Sequence, residues 1–476
     1  MTLVGDDSSL LIYAVFITAA LVVVGYLWNK QASKKWLPMA PTSLVEVANS
    51  LGSSEAPVFV LDLARKMGRN SFRIPLPLGL KGTYVIGDHQ LTRRILVDKT
   101  TDKPRAVYKS SEEGSFGIPG IFSSTNNEYL RNLRKSTAHA FSKSEVKRMN
   151  QIALNYVDEW LDKSLSKIAE TGECFDPTEQ LLRLSFFVTC EASFEYTPTE
   201  KEMQDFTHNT ETATREFIMK QAVNPLRKVF RRFIPEVQEA YRVTEINEQF
   251  CARILEVYQS NPNKSKQNTL IKLLAQNNLL THMEKVSNIL AFLVAGHGTT
   301  AFTLSNIIVL LAEHPHVQSK LRDELVKYPD QKPETIDYLN CVVKECSRIL
   351  PTAAFTSSRQ TGRDFEFQGE IVPKGAICFL PQVLTNYDAQ VYEDPDSFRP
   401  ERWESPTKEM TEAYISPFLV GSRNCPGQAL AKAEINSALP RLLSKYELEL
   451  VDEGKKDFFL TWKYMGAQLK VRKVAS

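Results

Sequence analysis

The sequence predicts a mainly α-helical protein with a minor β part, built as one large domain after a single N-terminal transmembrane helix. Three observations predict it. Apolar residues recur at helical spacing through much of the chain, and the strand-like pieces are few and short. The apolar front end is the one break in composition, with no repeat, low-complexity tract or Gly/Ser linker behind it.

That front end is the run from Leu10 to Trp28, LLIYAVFITAALVVVGYLW, which carries no charge. At ~1.5 Å rise per residue a helix of this length spans about 28 Å, close to the hydrocarbon thickness of a bilayer. A signal peptide needs a basic start, whereas Asp6 and Asp7 precede the run and no small-x-small cleavage site clearly ends it. A buried core helix is the other alternative, but the run is apolar all round, and Tyr26 and Trp28 sit near its end as interfacial residues do. Lys30, Lys34 and Lys35 follow, so the positive-inside rule places the rest of the chain in the cytosol. Trp36-Leu37-Pro38-Met39-Ala40-Pro41 reads as a stiff exit linker, because proline fixes φ. The expected division is an anchor with its basic flank over 1–36 and one domain over 37–476.

Within that domain Thr83 to Ile86 reads as a short strand. Asn150 to Ser166, the stretch around Phe186, and Glu236 to Tyr258 read as helices. Thr281-His282-Met283-Glu284 has the form of a capping box, and Pro315 closes the long apolar-periodic run that it opens. Glu345 to Arg348 lies on a helix ending before Pro351, Phe365 to Phe367 forms a strand before Gly369, and Gln468 to Val471 forms another near the end. At 43% hydrophobic and 10% aromatic residues the chain is not disordered. Its 58 basic against 56 acidic side chains give no reason to expect nucleic-acid binding. Seven cysteines, odd in number and irregular in spacing, argue for a reducing compartment.

Three segments carry chemistry. In the middle of the long helix stands Ala295-Gly296-His297-Gly298-Thr299-Thr300, whose glycines each cost ~1 kcal/mol against alanine. Such a stretch is a tolerated kink, a close contact with another helix, or a helix opened to a ligand or water. Glu345-Cys346-Ser347-Arg348 puts a carboxylate and a guanidinium on one helix face among Val342, Val343 and Ile349. The third segment decides the reading: Phe418-Leu-Val-Gly421-Ser-Arg423-Asn-Cys425-Pro-Gly427 leads into a helix beginning at Gln428. A cysteine just before a helix start feels the positive end of the dipole, and Arg423 adds charge, both favouring thiolate. The glycines permit positive φ and close backbone approach to a flat ligand. No partner stands in zinc-like spacing, so a lone thiolate suits an axial ligand better than structural zinc.

With these residues the chain resembles the cytochrome P450 haem-thiolate monooxygenases, of the microsomal, membrane-anchored type. Phe418, Gly421, Arg423, Cys425 and Gly427 fill the family's cysteine-loop signature, Glu345 and Arg348 its Glu-x-x-Arg, and Phe398-Arg399-Pro400-Glu401-Arg402-Trp403 its Pro-Glu-Arg-aromatic segment. Ala295 to Thr300 is similar to its oxygen-binding helix, and Glu313 to Gln318 to the start of the next helix, which makes the His-x-His there a helix boundary rather than a metal site. The resemblance implies the cytochrome P450 fold and haem b with Cys425 as its iron ligand. It implies a buried structural network of Glu345, Arg348 and Arg402, and it puts the hydroxyl of Thr299 where protons are delivered to bound dioxygen. It further implies haem contacts from Arg423, Arg134, Arg359, Phe418 and Gly427. Two positions depart from the family pattern. Gly298 stands where an acid usually precedes the threonine, so water or His297 through a relay takes its place, or oxygen activation is altered. Leu130, beside Tyr129, stands where a tryptophan is usual, four residues before Arg134.

The implied reaction inserts one oxygen atom of dioxygen into a lipophilic substrate such as a sterol, terpenoid, fatty acid or carotenoid. Its electrons come from NADPH through a flavoprotein reductase, with cytochrome b5 or ferredoxin as other donors, at the endoplasmic reticulum membrane. The alternatives are a reductase-independent isomerase or dehydratase, and a non-catalytic haem or ligand binder. Arg131, Arg134, Lys135, Lys143, Lys147 and Arg148 form a basic run suited to an acidic reductase. Arg227-Lys228-Val229-Phe230-Arg231-Arg232-Phe233-Ile234 alternates cations with apolar residues, as a segment dipping into a lipid bilayer would. The substrate-contacting regions are expected at Ser115–Phe122, 204–235, Phe292–Thr299, 352–357 and near Thr461.

Overall fold

A computed structural model of the protein describes residues 36–474, apart from 77, 79, 80, 126, 222, 223, 225, 263–266, 329, 330, 356 and 357. The apolar run Leu10–Trp28 and the lysines after it lie outside the described residues. The helices that build the body are α1 (Ala56–Met67), α2 (Asn127–Thr137), α3 (Lys143–Glu159), α4 (Pro177–Phe194) and α5 (Glu200–Thr214). They continue with α6 (Pro235–Ser260), α7 (His282–Glu313), α8 (Pro315–Lys327), α9 (Asp337–Ile349) and α10 (Gln428–Lys445), with shorter helical pieces between.

Helix α7 organises the rest. Its 32 residues extend about 48 Å, and its first turn is closed as the sequence predicts. Glu284 N donates to Thr281 Oγ1 at 3.2 Å and Thr281 N to Glu284 Oε2 at 2.8 Å. It is long and apolar enough to cross a membrane, yet most of it is buried inside the molecule. It packs along α4 on one side, against α6, α9 and α10, and beneath the C-terminal hairpins. The helix is continuous through its glycines. Gly296 is there for close packing: a Cβ at this position would lie 3.0 Å from Thr189 Cγ2 on α4.

The β part is minor. Strands β1 (Ser71–Ile74), β2 (Thr83–Ile86), β3 (Arg359–Gln360) and β6 (Ile377–Phe379) form a sheet in the order β1-β2-β6-β3, with β2 and β6 parallel. Strands β4 (Phe365–Phe367) and β5 (Glu370–Val372) make a tight hairpin whose two loop residues, Gln368 and Gly369, both have positive φ. At the end of the chain β7 (Tyr446–Asp452) pairs with β10 (Gln468–Lys473), and β8 (Lys455–Phe459) with β9 (Thr461–Met465). Trp36 and Leu37 already belong to this body. Trp36 bridges to Ile371 and lies under the guanidinium of Arg73, and Leu37 is fully buried.

The two basic segments are less uniform than their sequences suggest. Arg148 bonds the buried Glu145 at 2.9 Å and the carbonyl of Ala192, so it is a structural residue rather than part of an exposed face. Arg131, Lys135, Lys143 and Lys147 are exposed. In the second segment Arg227 holds Glu216 in a two-armed pair at 2.8 and 2.9 Å, and Lys228 pairs with Glu113. The apolar side chains of Leu226, Val229 and Phe233 point outward, Phe233 with 80% of its surface exposed.

Candidate active site

The cysteine loop between the 3-10 turn at Pro400–Trp403 and α10 is closed on itself, Cys425 N donating to Phe418 O at 2.8 Å. Two residues turn the chain with left-handed backbone, Leu419 at φ 62° and Gly421 at φ 82°. A Cβ at Gly421 would lie 2.8 Å from the carbonyl of Leu96, so both conformation and space require glycine there. Gly427 is different: its φ of −81° is open to any residue, and a Cβ there would rest in ordinary contact with the sulfur, at 3.9 Å.

Cys425 opens onto a cavity of about 1230 Å³. Burial by the surrounding loop raises its thiol pKa, while the backbone N–H groups of Gly427 and Gln428 and the charge of Arg134 pull the other way. From the sequence that charge is expected of Arg423. The structure corrects it, because Arg423 leans away to Asp102, 3.6 Å distant, whereas Arg134 is fixed by Asn424 at 2.9 Å.

Arg134, Arg359 and Arg423 converge at one end of the cavity, joined by a residue the sequence reading missed, Lys103. Lys103 is nearly buried and donates to the carbonyls of Ile121 and Phe122. Desolvation and the three neighbouring guanidiniums push its pKa down to about 7. Burial likewise lowers Arg134, Arg359 and Arg423. A lone lysine before Pro104 carries no signal in the sequence; only the fold brings it beside three arginines. Two buried cations, Lys103 and Arg359, and two half-buried ones, Arg134 and Arg423, outnumber the carboxylates of Asp98 and Asp102 near them and make an anion-demanding end, and a thiol faces the same space. This donor set fits a flat, dianionic, iron-bearing group such as haem. Leu130 lies in the wall, and Tyr129 does not take the place of the missing tryptophan: its hydroxyl bonds Pro119 O at 3.2 Å and Asn288 Nδ2 at 3.1 Å.

On the opposite wall α7 presents Ala295, Gly296, Thr299, Thr300 and Thr303. Thr299 Oγ1 donates to Ala295 O at 2.6 Å, and Thr303 Oγ1 meets Thr352 Oγ1 at 2.8 Å. His297 is placed elsewhere, which corrects the relay expected of it. Two residues along a helix turn about 200°, so His297 points away from the cavity that Thr299 faces. It is set between the rings of Phe186 and Phe206, with Nε2 3.4 Å from the Thr207 hydroxyl. Burial lowers its pKa to about 4, leaving it neutral. Gly298 also lies off the wall, where a Cβ would rest 3.4 Å from the ring of Phe302.

Further back, the structure brings Glu345, Arg348 and Arg402 together. Arg348 bonds both carboxylate oxygens of Glu345 at 2.8 and 2.9 Å, and Arg402 Nε donates to it at 2.9 Å. Trp403 Nε1 and Arg399 N complete the carboxylate. The guanidiniums fasten the carbonyls of Asn386, Pro395 and Ser397, and of Glu393 and Asp394. The network lies outside the cavity wall and pins the chain that leads to the cysteine loop.

The remaining wall is mainly apolar, with scattered hydroxyls and amides and a few charged side chains such as Asp98, Glu334 and Lys344. Ser115, Phe122, Phe217, Phe292, Phe355 and Thr461 each come from one of the regions expected to meet substrate. Within 204–235 the wall extends from Thr210 to Met219, and the basic stretch beyond it lies outside. Among the described residues no cluster of His, Cys, Asp and Glu forms a metal site, and the histidines flanking Pro315 sit at the start of α8.

The chain matches the family profile described as Cytochrome P450 over residues 40–473. Among curated proteins it is 31% identical over 244 residues to cytochrome P450 3A31 of Mesocricetus auratus, half of this chain and 46% of that one. It is 28% identical over 363 residues to human cytochrome P450 3A7, 70% of each chain. It is 25% identical over 469 residues to the probable cytochrome P450 4e1 of Drosophila melanogaster, 90% of this chain and 85% of that one. The chain spans less than half the length of the first curated relatives it matches. Among solved structures it is similar to retinoic acid bound cyanobacterial CYP120A1, with a TM-score of 0.74 at 20% identity, covering 93% of this chain and all of that one. The heme domain of cytochrome P450DA is similar at the same TM-score and 18% identity, covering 92% of this chain and 98% of that one.

Proposed function

The chain belongs to the cytochrome P450 family, and from that premise we propose that it is a haem-thiolate monooxygenase acting on a lipophilic substrate. One observation carries the reading: Cys425, the cation cluster of Lys103, Arg134, Arg359 and Arg423, and Thr299 all face a single, mainly apolar cavity. In this reading Cys425 would hold the haem iron through its thiolate, and the four cations would hold the haem propionates. Phe418 and Gly427 border the sulfur. The bound haem, through its thiolate, supplies the dioxygen chemistry. Thr299 offers its hydroxyl to the reacting centre by giving up its bond to Ala295 O. The apolar wall excludes bulk water and orients the substrate. Glu345, Arg348 and Arg402 are structural.

The catalytic domain starts at Trp36, one residue before the expected 37, because Trp36 bridges to Ile371, and the residues before it form an anchor that leaves it on the cytosolic side of the endoplasmic reticulum membrane. Electrons come from NADPH through a flavoprotein reductase docking on Arg131, Lys135, Lys143 and Lys147, whose exposure supports that role; cytochrome b5 and ferredoxin are the other donors to test. The outward apolar side chains of Val229 and Phe233 beside Arg231 and Arg232 support a membrane contact. The test is a reduced, carbon-monoxide-bound spectrum of thiolate type, absent in Cys425→Ala. It is joined by turnover of farnesol, palmitate, cholesterol or retinoic acid in which NADPH and dioxygen are consumed one for one with an oxygenated product. Turnover without reductant identifies an isomerase or dehydratase instead, and haem binding without turnover a carrier.

A further inference from the structure

A second cavity, of about 360 Å³, lies where the end of α7 meets the end of α9 and the hairpin of β8 and β9. Its volume falls in the range of small-molecule pockets. Of its lining residues only Leu350 also faces the Cys425 cavity, so the two spaces are separate. The polar groups that meet there are poorly satisfied. Tyr464, on β9, is 1% exposed, and its hydroxyl has no hydrogen-bond partner. Glu313, the last residue of α7, has a buried carboxyl oxygen, Oε1, that also lacks one. Burial raises the pKa of this carboxyl. The nearby Tyr464 hydroxyl, Lys456 and His314 act against that, and Glu453 adds to it. Among the described residues no cation pairs with Glu313 directly, and Lys456 Nζ stands instead over the Tyr464 ring, 5.4 Å from its centre. His314 donates from Nδ1 to Leu310 O at 2.8 Å, which leaves Nε2 of the neutral ring an acceptor. At the rim Asp396 is already held by Arg65 at 3.1 Å. Leu310, Ile349, Leu350 and Phe398 supply the apolar wall.

Acceptors therefore outnumber donors in this space. Its buried charge is negative, since the Glu313 oxygen is shut off from solvent whereas Lys456 is exposed and hydrated. Buried polar atoms of this kind bond to ordered water or to a ligand. A ligand matched to them brings a positive charge and N–H donors for Glu313 and the Tyr464 oxygen, and an apolar body for the wall. A bare metal ion does not meet that pattern: among the described residues no cluster of His, Cys, Asp and Glu forms a metal site. We propose that this cavity is a second binding site, for a small organic cation whose N–H-rich head bonds Glu313 and Tyr464 while its apolar body lies against Leu310, Ile349 and Leu350. An amidinium head suits the carboxylate best, because paired N–H donors on a carboxylate make a strong, directional contact. Lys456 is the one cation in the lining. Exposed on a flexible stem, it opposes the ligand by charge without closing the way in. The site needs neither haem nor turnover.

The test is titration calorimetry of the haem-loaded full chain with benzamidinium, benzamide and benzoate, which share a shape and differ in charge. Benzamidinium is expected to bind at one site per chain, at least tenfold more tightly than benzamide, with benzoate weaker still. The Soret band should not move, because a protonated amidine has no lone pair free to ligate iron. Saturating imidazole, which occupies the Cys425 cavity at the haem iron, should leave the affinity unchanged. Glu313→Gln should weaken benzamidinium at least tenfold and Tyr464→Phe several-fold, whereas Lys456→Gln should tighten it several-fold by removing the opposing charge. Equal affinity for benzamidinium and benzamide, displacement by imidazole, or an affinity unaltered in Glu313→Gln overturns the proposal. So does weaker binding in Lys456→Gln, which would mark a site for anions. Should Glu313→Gln fail to fold, the three probes on the unaltered protein and the exposed Lys456→Gln change decide the matter without it.

Discussion

At the scale of single residues, the cavity's charge is its most testable property. Lys103 has its pKa depressed to about 7 because it is desolvated among three guanidiniums. Between there and the ordinary lysine range near 10.4 the unfolded chain binds a proton that the haem-free fold does not. Stability of the haem-free protein should therefore rise with pH across that window, and Lys103→Met should flatten the rise. Haem propionates would pair the ammonium and restore its pKa, so the loaded protein should lack the trend; thermal unfolding at a series of pH values reads both. The same substitution should weaken haem binding by about ten- to a hundredfold, the loss of one charge-assisted hydrogen bond of ~1.5–3 kcal/mol. Glu345 is the second such case. Glu345→Gln leaves Arg348 and Arg402 buried without their counter-charge, and should cost about 3–5 kcal/mol in denaturant unfolding. The Glu345–Arg348 pair was legible from i,i+3 spacing, since both sit on one helix. Lys103 was not, because its partners lie 31, 256 and 320 positions away in the chain.

At the scale of elements, α7 shows what a helical pattern does and does not reveal. Its capping box, length and closing proline are local, and they read directly from the sequence. The phase of its faces relative to the cavity is set by α4 and α10, and this turned His297 into a core residue between two phenylalanines while Thr299 lines the wall. Gly296 records the α4 contact. Gly296→Ala gains about 1 kcal/mol of helix propensity but presses a methyl to 3.0 Å from Thr189, so its net effect should be near zero or destabilising. Made in a Thr189→Ala background, the same substitution should stabilise by about 1 kcal/mol, and a double-mutant cycle in urea measures the difference.

At the scale of the whole molecule, removing residues 1–35 should leave the body intact, because the described residues from Trp36 on form it, with Trp36 on Ile371 and Arg73 and Leu37 buried. The shortened protein is expected to keep the carbon-monoxide spectrum of the full chain and to leave the membrane fraction in larger part, with the Val229–Phe233 surface accounting for what stays bound. The sequence by itself determined the family, several of the helices and three of the strands, the cysteine loop and the Glu-x-x-Arg pair. Each of these is carried by residues a few positions apart, whose chemistry is local. Only the tertiary structure decided which cations share the cavity, which way His297 points, and which arginines of the basic run are free to meet a partner. Burial and proximity between distant segments create those properties, since desolvation and Coulomb forces act through space and leave no mark along the chain.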